Sequence, residues 1–167
     1  LCESKMPNNS IFLTRGLHQI EGVSPQIEES PMPIINVALS AKPDADRARR
    51  LAAAISDLTQ RHLRKDPKLT AIAFNHIDPA FWFAGGLSLA AQGVESFWLD
   101  IKVVDGTNTK PELEAYLAEI FDLMRSELGR VHEESYILVH EVPAAAYGYG
   151  GRTQEFRFIA GRLKQAA

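Results

Sequence analysis

The sequence predicts an α+β fold built from two tandem β-α-β units, giving a four-stranded sheet with two helices on one face. Three observations carry that expectation. The chain repeats itself at a nearly constant offset. Each repeat opens on a stretch whose apolar residues alternate with polar or small ones. Each then turns to apolar spacing of a helical kind. Gly85-Gly86 and Gly150-Gly151 stand 65 residues apart, as do Trp82 and Tyr147, Leu63 and Leu128, Leu58 and Leu123, Ile55 and Ile120, Thr70 and Ser135, and Ile72 and Ile137. The opening strands pair at an offset of 64, Val37 with Ile101 and Leu39 with Val103. Single matches arise by chance, but helix, strand and glycine pair in register point to an internal repeat.

The first strand is expected over 33–40, where Ile35, Val37 and Leu39 alternate with Asn36, Ala38 and Ser40, the period of a half-buried strand. Pro43-Asp44 ends it and Asp44 is a helix N-cap candidate. A helix follows over about 45–64 with Ala48, Leu51, Ile55, Leu58 and His62 on one face. Asp66-Pro67 stops it, and a second strand is expected near 69–74. In the second half Phe97, Leu99, Ile101 and Val103 alternate with Trp98, Asp100 and Lys102. Asp105-Gly106 turns the chain, and Thr109-x-x-Glu112 is a capping box opening a helix that carries Leu113, Leu117, Ile120, Phe121, Met124 and Leu128. The last long strand is expected over 136–141, a linker between the halves over 87–96, and a short strand for neighbour contacts over 155–159.

Right-handed β-α-β crossovers join parallel strands. With both helices on one face and none left for the other, the sheet needs a second copy to cover it, which predicts an oligomer packed sheet face to sheet face. The domain limits expected are an N-terminal extension over 1–32 and a folded domain over 33–167, divided into units at 33–86 and 97–152.

At 167 residues with 46% hydrophobic content the chain suits one domain with a true core. A net charge of −3 supplies no basic field for nucleic acid or an anionic membrane. One cysteine, Cys2, allows no intrachain disulfide and suits a reducing, cytoplasmic setting. No apolar run approaches the roughly 20 residues of a membrane span. Residues 1–32 begin with Leu and mix Asn, Ser, Pro and Glu without periodicity. They read as an upstream-start artefact, an expression remnant or a regulatory extension.

Three segments carry a family resemblance: Pro33-Ile-Ile-Asn-Val after Met32; the turn Asp105-Gly106-Thr107-Asn108-Thr109-Lys110; and Glu141-Val-Pro-Ala-Ala-Ala-Tyr147-Gly-Tyr-Gly-Gly151. From Pro33 to Arg157 the chain resembles the tautomerase superfamily, named for 4-oxalocrotonate tautomerase. Its two-unit layout is similar to that of cis-3-chloroacrylic acid dehalogenase and macrophage migration inhibitory factor. The resemblance implies a homotrimer and a small carboxylic acid substrate. It implies no cofactor and no metal, and a proline at the amino terminus acting as general base.

Carried onto this chain, that base is Pro33. Freed of Met32 its nitrogen is a secondary amine, whereas joined to Met32 it is a tertiary amide with no basic lone pair. An N-terminal amine titrates near roughly 8 in water. An apolar pocket and nearby cations lower that value toward the working pH, where a base is most useful. Ile34, Trp82 and Phe83 are candidates for the apolar wall. The reaction implied is keto–enol tautomerisation of a small 2-oxo or 2-hydroxyenoate acid. Hydration or dehalogenase-type addition to an unsaturated acid, and a silent binding trimer with Pro33 blocked, stand as the alternatives.

Such chemistry needs positive charge near the carboxylate and the developing enolate. The 4-oxalocrotonate tautomerase pattern has arginines where this chain has Lys42 and, at the two copies of the second site, Ala73 and Tyr136. Lysine lacks the guanidinium fork, so bidentate carboxylate binding is weakened. Tyr136 resembles a tyrosine that migration inhibitory factor lends to a neighbouring pocket, Lys102 lies on the polar face of its strand, and Tyr147 occupies the place of the family's pocket aromatic. Where the dehalogenase pattern wants arginines and an acidic group stand Val104, Thr107 and Tyr149, which argues against hydrolytic dehalogenation.

Overall fold

A computed structural model describes residues 33–166. The expected extension over 1–32 lies outside the described residues. The elements run β1 (Ile34–Leu39), α1 (Ala45–Leu63), β2 (Ala71–His76), the short β3 (Phe83–Ala84) and β4 (Leu87–Ser88), α2 (Leu89–Gln92), β5 (Phe97–Val104), α3 (Lys110–Leu128), β6 (Tyr136–Val142), the short β7 (Gly148–Tyr149) and β8 (Arg152–Thr153), and α4 (Gln154–Gln165). The main sheet has the order β2-β1-β5-β6. β1 pairs parallel with β2, β5 pairs parallel with β6, and β1 and β5 meet antiparallel at the centre. This is the expected pair of β-α-β units, related by a pseudo-two-fold axis between β1 and β5.

Alternation decides which way each strand faces. Ile35, Val37 and Leu39 of β1 and Phe97, Leu99, Ile101 and Val103 of β5 are buried beneath Leu51, Ile55, Leu58 and Leu63 of α1 and Tyr116, Ile120 and Met124 of α3. Each such fully buried aliphatic side chain contributes roughly 1.5–3 kcal/mol. The other residues of the central strands line the opposite, open face, where Trp98 and Tyr136 stand opposite one another.

Caps end the helices where expected. The Asp44 carboxylate accepts from the amides of Asp46 and Arg47. Glu112 reaches back to the Thr109 amide at 2.8 Å.

The repeat extends beyond what the sequence reading took from it. After each glycine pair a hairpin leads into a helix with a hydroxyl N-cap. Ser88 Oγ accepts from Ala91 N at 3.2 Å, and 65 residues on Thr153 Oγ1 accepts from Phe156 N at 3.1 Å. Leu89 N bonds Trp82 O and Gln154 N bonds Tyr147 O in the same relation. The expected strand over 155–159 is therefore corrected: those residues lie in α4, because Thr153 caps a helix there. The expectation that no helix remained beyond two is corrected with it, since α2 and α4 are additional. The last strand runs one residue further than expected, and the second starts at Ala71 because Pro67–Leu69 forms a 3-10 turn.

Candidate functional site at the amino-terminal end of β1

Pro33 is buried directly ahead of β1, and its carbonyl accepts from Ala71 N at 3.2 Å, which fixes it to the start of the parallel neighbour β2. Because β5 runs antiparallel, Lys102 stands opposite Ile34; because β6 runs parallel to β5, His140 stands opposite Lys102. The end of the sheet that carries Pro33 thus also gathers the end of β5, the turn into α3 and the chain after β6.

Tyr147 belongs to this end. Its hydroxyl accepts from the backbone N–H of Ile34, while burial pushes the phenol above its ordinary range. Lys102 does not present a free ammonium: its Nζ lies 3.0 Å from Asp100 Oδ1. His140 Nε2 is 2.8 Å from the same oxygen, at ion-pair distance but out of hydrogen-bond alignment.

A buried lysine at this end was not singled out in the sequence. Lys65 follows α1, is only 3% exposed, and donates from Nζ to Thr107 Oγ1 at 2.9 Å. Thr107 in turn donates to Val104 O at 2.6 Å. Burial, aided by the Arg64 guanidinium and opposed by Glu112, brings the amine down to about 8. Nothing local in the sequence marks Lys65, and it was not among the expected site residues. The one signal was Thr107, which lies in the turn that carried the resemblance.

A cavity of about 530 Å³ opens beside this end, between α4 and a wall that includes Leu69, Val104, Thr107 and Ala144. Leu69 lies two residues before the strand residue bonded to Pro33, and the Ala144 carbonyl accepts from Glu155 N of α4 at 3.2 Å.

Pro33, Ile34, Lys102 and Tyr147 therefore share one end of the sheet. The remaining candidates do not. Lys42 lies past the far end of β1, exposed beside Asp44 and Arg47. Trp82 follows β2 at that same far end, its carbonyl accepting from Leu89 N at 2.9 Å. Tyr136 opens β6 opposite Trp98, which itself faces Ala38. Within one subunit these three residues are separated from Pro33 by the length of the sheet. His62 sits 3.1 Å from Glu119, and His76 Nδ1 lies 3.0 Å from the Ala41 carbonyl oxygen, so each is occupied structurally. Among the described residues no three His, Cys, Asp or Glu side chains are grouped to hold a metal ion, and no helix is long and apolar enough to cross a membrane.

Residues 33–92 match the family model described as tautomerase enzyme. No curated protein matches the chain in sequence. Among solved structures, a fused 4-OT wild-type asymmetric trimer superposes with a TM-score of 0.65 at 17% identity, covering 74% of this chain and 98% of that one. Leishmania major MIF2 gives 0.62 at 18%, over 74% and 98%. A macrophage migration inhibitory factor homologue from Prochlorococcus marinus gives 0.60 at 21%, over 72% and 97%. The family match begins at Pro33, and the fold over about three quarters of the chain is that of these solved structures.

Proposed function

We propose that this protein is a cofactor-independent keto–enol tautomerase of a small 2-oxo or 2-hydroxyenoate acid, assembled as a homotrimer, with Pro33 as amino terminus and general base. The observation that supports this reading is that Pro33, where the family match begins, lies at the end of the sheet that also holds the buried Lys65 ammonium, with a cavity beside that end.

The roles follow from position. The Pro33 nitrogen removes a proton from the carbon next to the oxo group and returns it on the reverse reaction. Burial and the Lys65 charge both disfavour a protonated Pro33, which keeps the base free near neutral pH. Lys65 holds three N–H donors, of which Thr107 takes one. Its charge in a poorly solvated site favours the substrate carboxylate and the enolate oxygen. Tyr147 holds the Ile34 amide and so fixes how the chain enters β1. Lys42, Trp82 and Tyr136 would serve the pocket of a neighbouring subunit, because in their own subunit they lie at the other end of the sheet. Support for the trimer comes from the open sheet face and from neighbours described as trimers.

A second reading has a specific observation behind it. Met32 precedes Pro33 in the sequence, and while that bond is intact the nitrogen is an amide. The same fold would then be a binding protein without catalysis.

Intact mass and amino-terminal sequencing of the natively expressed protein, followed by turnover of enol acids, decide between the two. A start at Pro33 with activity abolished in Pro33→Ala supports the tautomerase. An intact extension with no turnover leaves the binding protein.

A further inference from the structure

The repeat builds an ion pair at one end of the helix layer and half of one at the other. At the Pro33 end Arg64, just after α1, pairs with Glu112 in the first turn of α3. At the 65-residue offset the counterpart of Glu112 is Arg47, and the counterpart of Arg64 is Gly129, which has no side chain. Arg47 therefore occupies its place in the pair without a partner. The other arginines of α1 each have one: Arg49 with Asp46, Arg50 with Glu127, and Arg61 with Asp57 and Glu119. Arg47 forms no ion pair among the described residues, and its Nε is shielded from solvent with no acceptor against it. Asp44 faces the amides of Asp46 and Arg47 and feels the guanidinium only as a charge. A shielded polar group of this kind calls for an acceptor from outside the chain.

Arg47 lines a cavity of about 570 Å³ together with Ala41, Lys42, Pro43, Asp44, Glu95 and Leu128. That size falls within the usual range for a small-molecule site, roughly 300–1,000 Å³. Glu95 brings the opposite charge. Its Oε2 accepts from the buried Ser40 hydroxyl, and Ser40 Oγ in turn accepts from Ser96 N at 2.8 Å. The carboxylate is thus fixed to the backbone, while Oε1 makes no hydrogen bond among the described residues. Arg47 and Glu95 line one space and do not bond each other. The four charges of the lining, Lys42 and Arg47 against Asp44 and Glu95, cancel, which disfavours a ligand of either net charge.

We infer that this cavity binds a small aliphatic α-amino acid, with its carboxylate on the Arg47 guanidinium, its ammonium on Glu95 and its side chain against Ala41, Pro43 and Leu128. A zwitterion supplies both missing partners at once and adds no net charge. The planar guanidinium offers the parallel donors that a carboxylate takes. The site lies at the Phe97 end, between the start of α1 and the end of α3, which the Arg50–Glu127 pair ties together at 3.0 Å. It is independent of Pro33 and of the tautomerase reading.

The test removes one charge at a time, from the ligand and from the protein. L-Valine, 3-methylbutanoate and 2-methylpropan-1-amine share one branched side chain; the second lacks the ammonium and the third the carboxylate. Each is titrated by calorimetry against the parent, Arg47→Gln, Glu95→Gln and Lys65→Met, with melting temperature as a check on folding. Glutamine at 95 keeps an acceptor for Ser40. Valine should bind the parent at least tenfold more tightly than either analogue, since a site built to pair two charges rejects a ligand lacking one. Arg47→Gln and Glu95→Gln should each weaken valine at least tenfold, and Lys65→Met, at the other end of the sheet, should change it less than twofold. The comparison of the three ligands on the parent decides even where a variant fails to fold. If valine does not bind the parent, if either analogue binds as tightly as valine, or if valine binds folded Arg47→Gln or Glu95→Gln as tightly as the parent, the amino acid site is overturned. Loss of valine binding in Lys65→Met alone would place the ligand at the Pro33 end and overturn it equally.

Discussion

Lys65 Nζ donates to Thr107 Oγ1 at 2.9 Å and ties the end of α1 to the turn that enters α3. The amine, ordinarily near 10.5, is brought to about 8 chiefly by burial. The unfolded chain therefore holds more protons than the folded one between about pH 8 and 10.5, and stability should rise with pH across that window. Below about 8 the folded protein carries the full cost of the buried ammonium. Lys65→Met should remove this slope, seen by comparing urea unfolding of parent and variant at pH 7 and pH 10. Activity on an acid should move the opposite way, falling above about pH 8 as the ammonium is lost. Parallel slopes in parent and variant would show that Lys65 is not the titrating group.

Tyr116 and Thr59 make the other buried polar link between the helices. Thr59 donates to Ile55 O at 2.7 Å, so Tyr116 supplies the proton in its 3.2 Å contact with Thr59 Oγ1. Burial pushes the phenol up to about 12, so it stays protonated through the physiological range. Tyr116→Phe removes a donor yet leaves the Thr59 proton bonded, and should cost about 0.5–1.5 kcal/mol. Tyr116→Ala opens a cavity between the helices and should cost about 3–5 kcal/mol. Denaturant unfolding measures both, and equal losses would contradict the division between hydrogen bond and packing.

These two lysine and tyrosine links also mark what could be read in the sequence. The sheet and its two covering helices were legible because period-2 and helical spacing are local, and the 65-residue offset confirmed each half by the other. Pro33, Ile34 and Tyr147 were legible as site candidates from the motifs that bear them. Lys65 was not, because its burial is produced by the turn carrying Thr107, 42 residues away. The sharing of Asp100 between Lys102 and His140 depends on strand register, which alternation does not set. Residues 155–159 of α4 were misread as a strand, where Phe156 and Phe158 alternate with Glu155 and Arg157; the missed signal was Thr153, standing 65 residues after Ser88 at the matching N-cap.

That cap makes its own prediction. Thr153 Oγ1 is the side-chain acceptor for the first turn of α4. Thr153→Ala should cost about 1 kcal/mol, concentrated in that helix. Hydrogen exchange should quicken across 156–165 while the amides of β1 and β5 stay protected. Ser88→Ala, at the matching position of the 4-residue α2, should leave α4 exchange unchanged. Uniform acceleration over the whole chain in Thr153→Ala would mean that α4 does not loosen independently.

Trp98 and Tyr136 face each other across β5 and β6 on the open side of the sheet, 48% and 57% exposed. Ile34, Ala38 and Ala73 lie on the same side of the sheet. Two aromatics on a helix-free sheet face form an apolar patch of the kind buried when subunits pack together. If the protein assembles through it, a charge introduced there must be desolvated at each copy of the interface, and symmetry multiplies the penalty. Trp98→Lys should therefore shift sedimentation from three times the chain mass toward one, and make the melting temperature fall on dilution. Tyr136→Lys should do the same. Leu163→Lys, on an exposed position of α4, serves as a control of equal charge change and should leave the mass unaltered. An unchanged mass in both sheet variants, with the control also unchanged, would mean that the open face is not where the subunits meet.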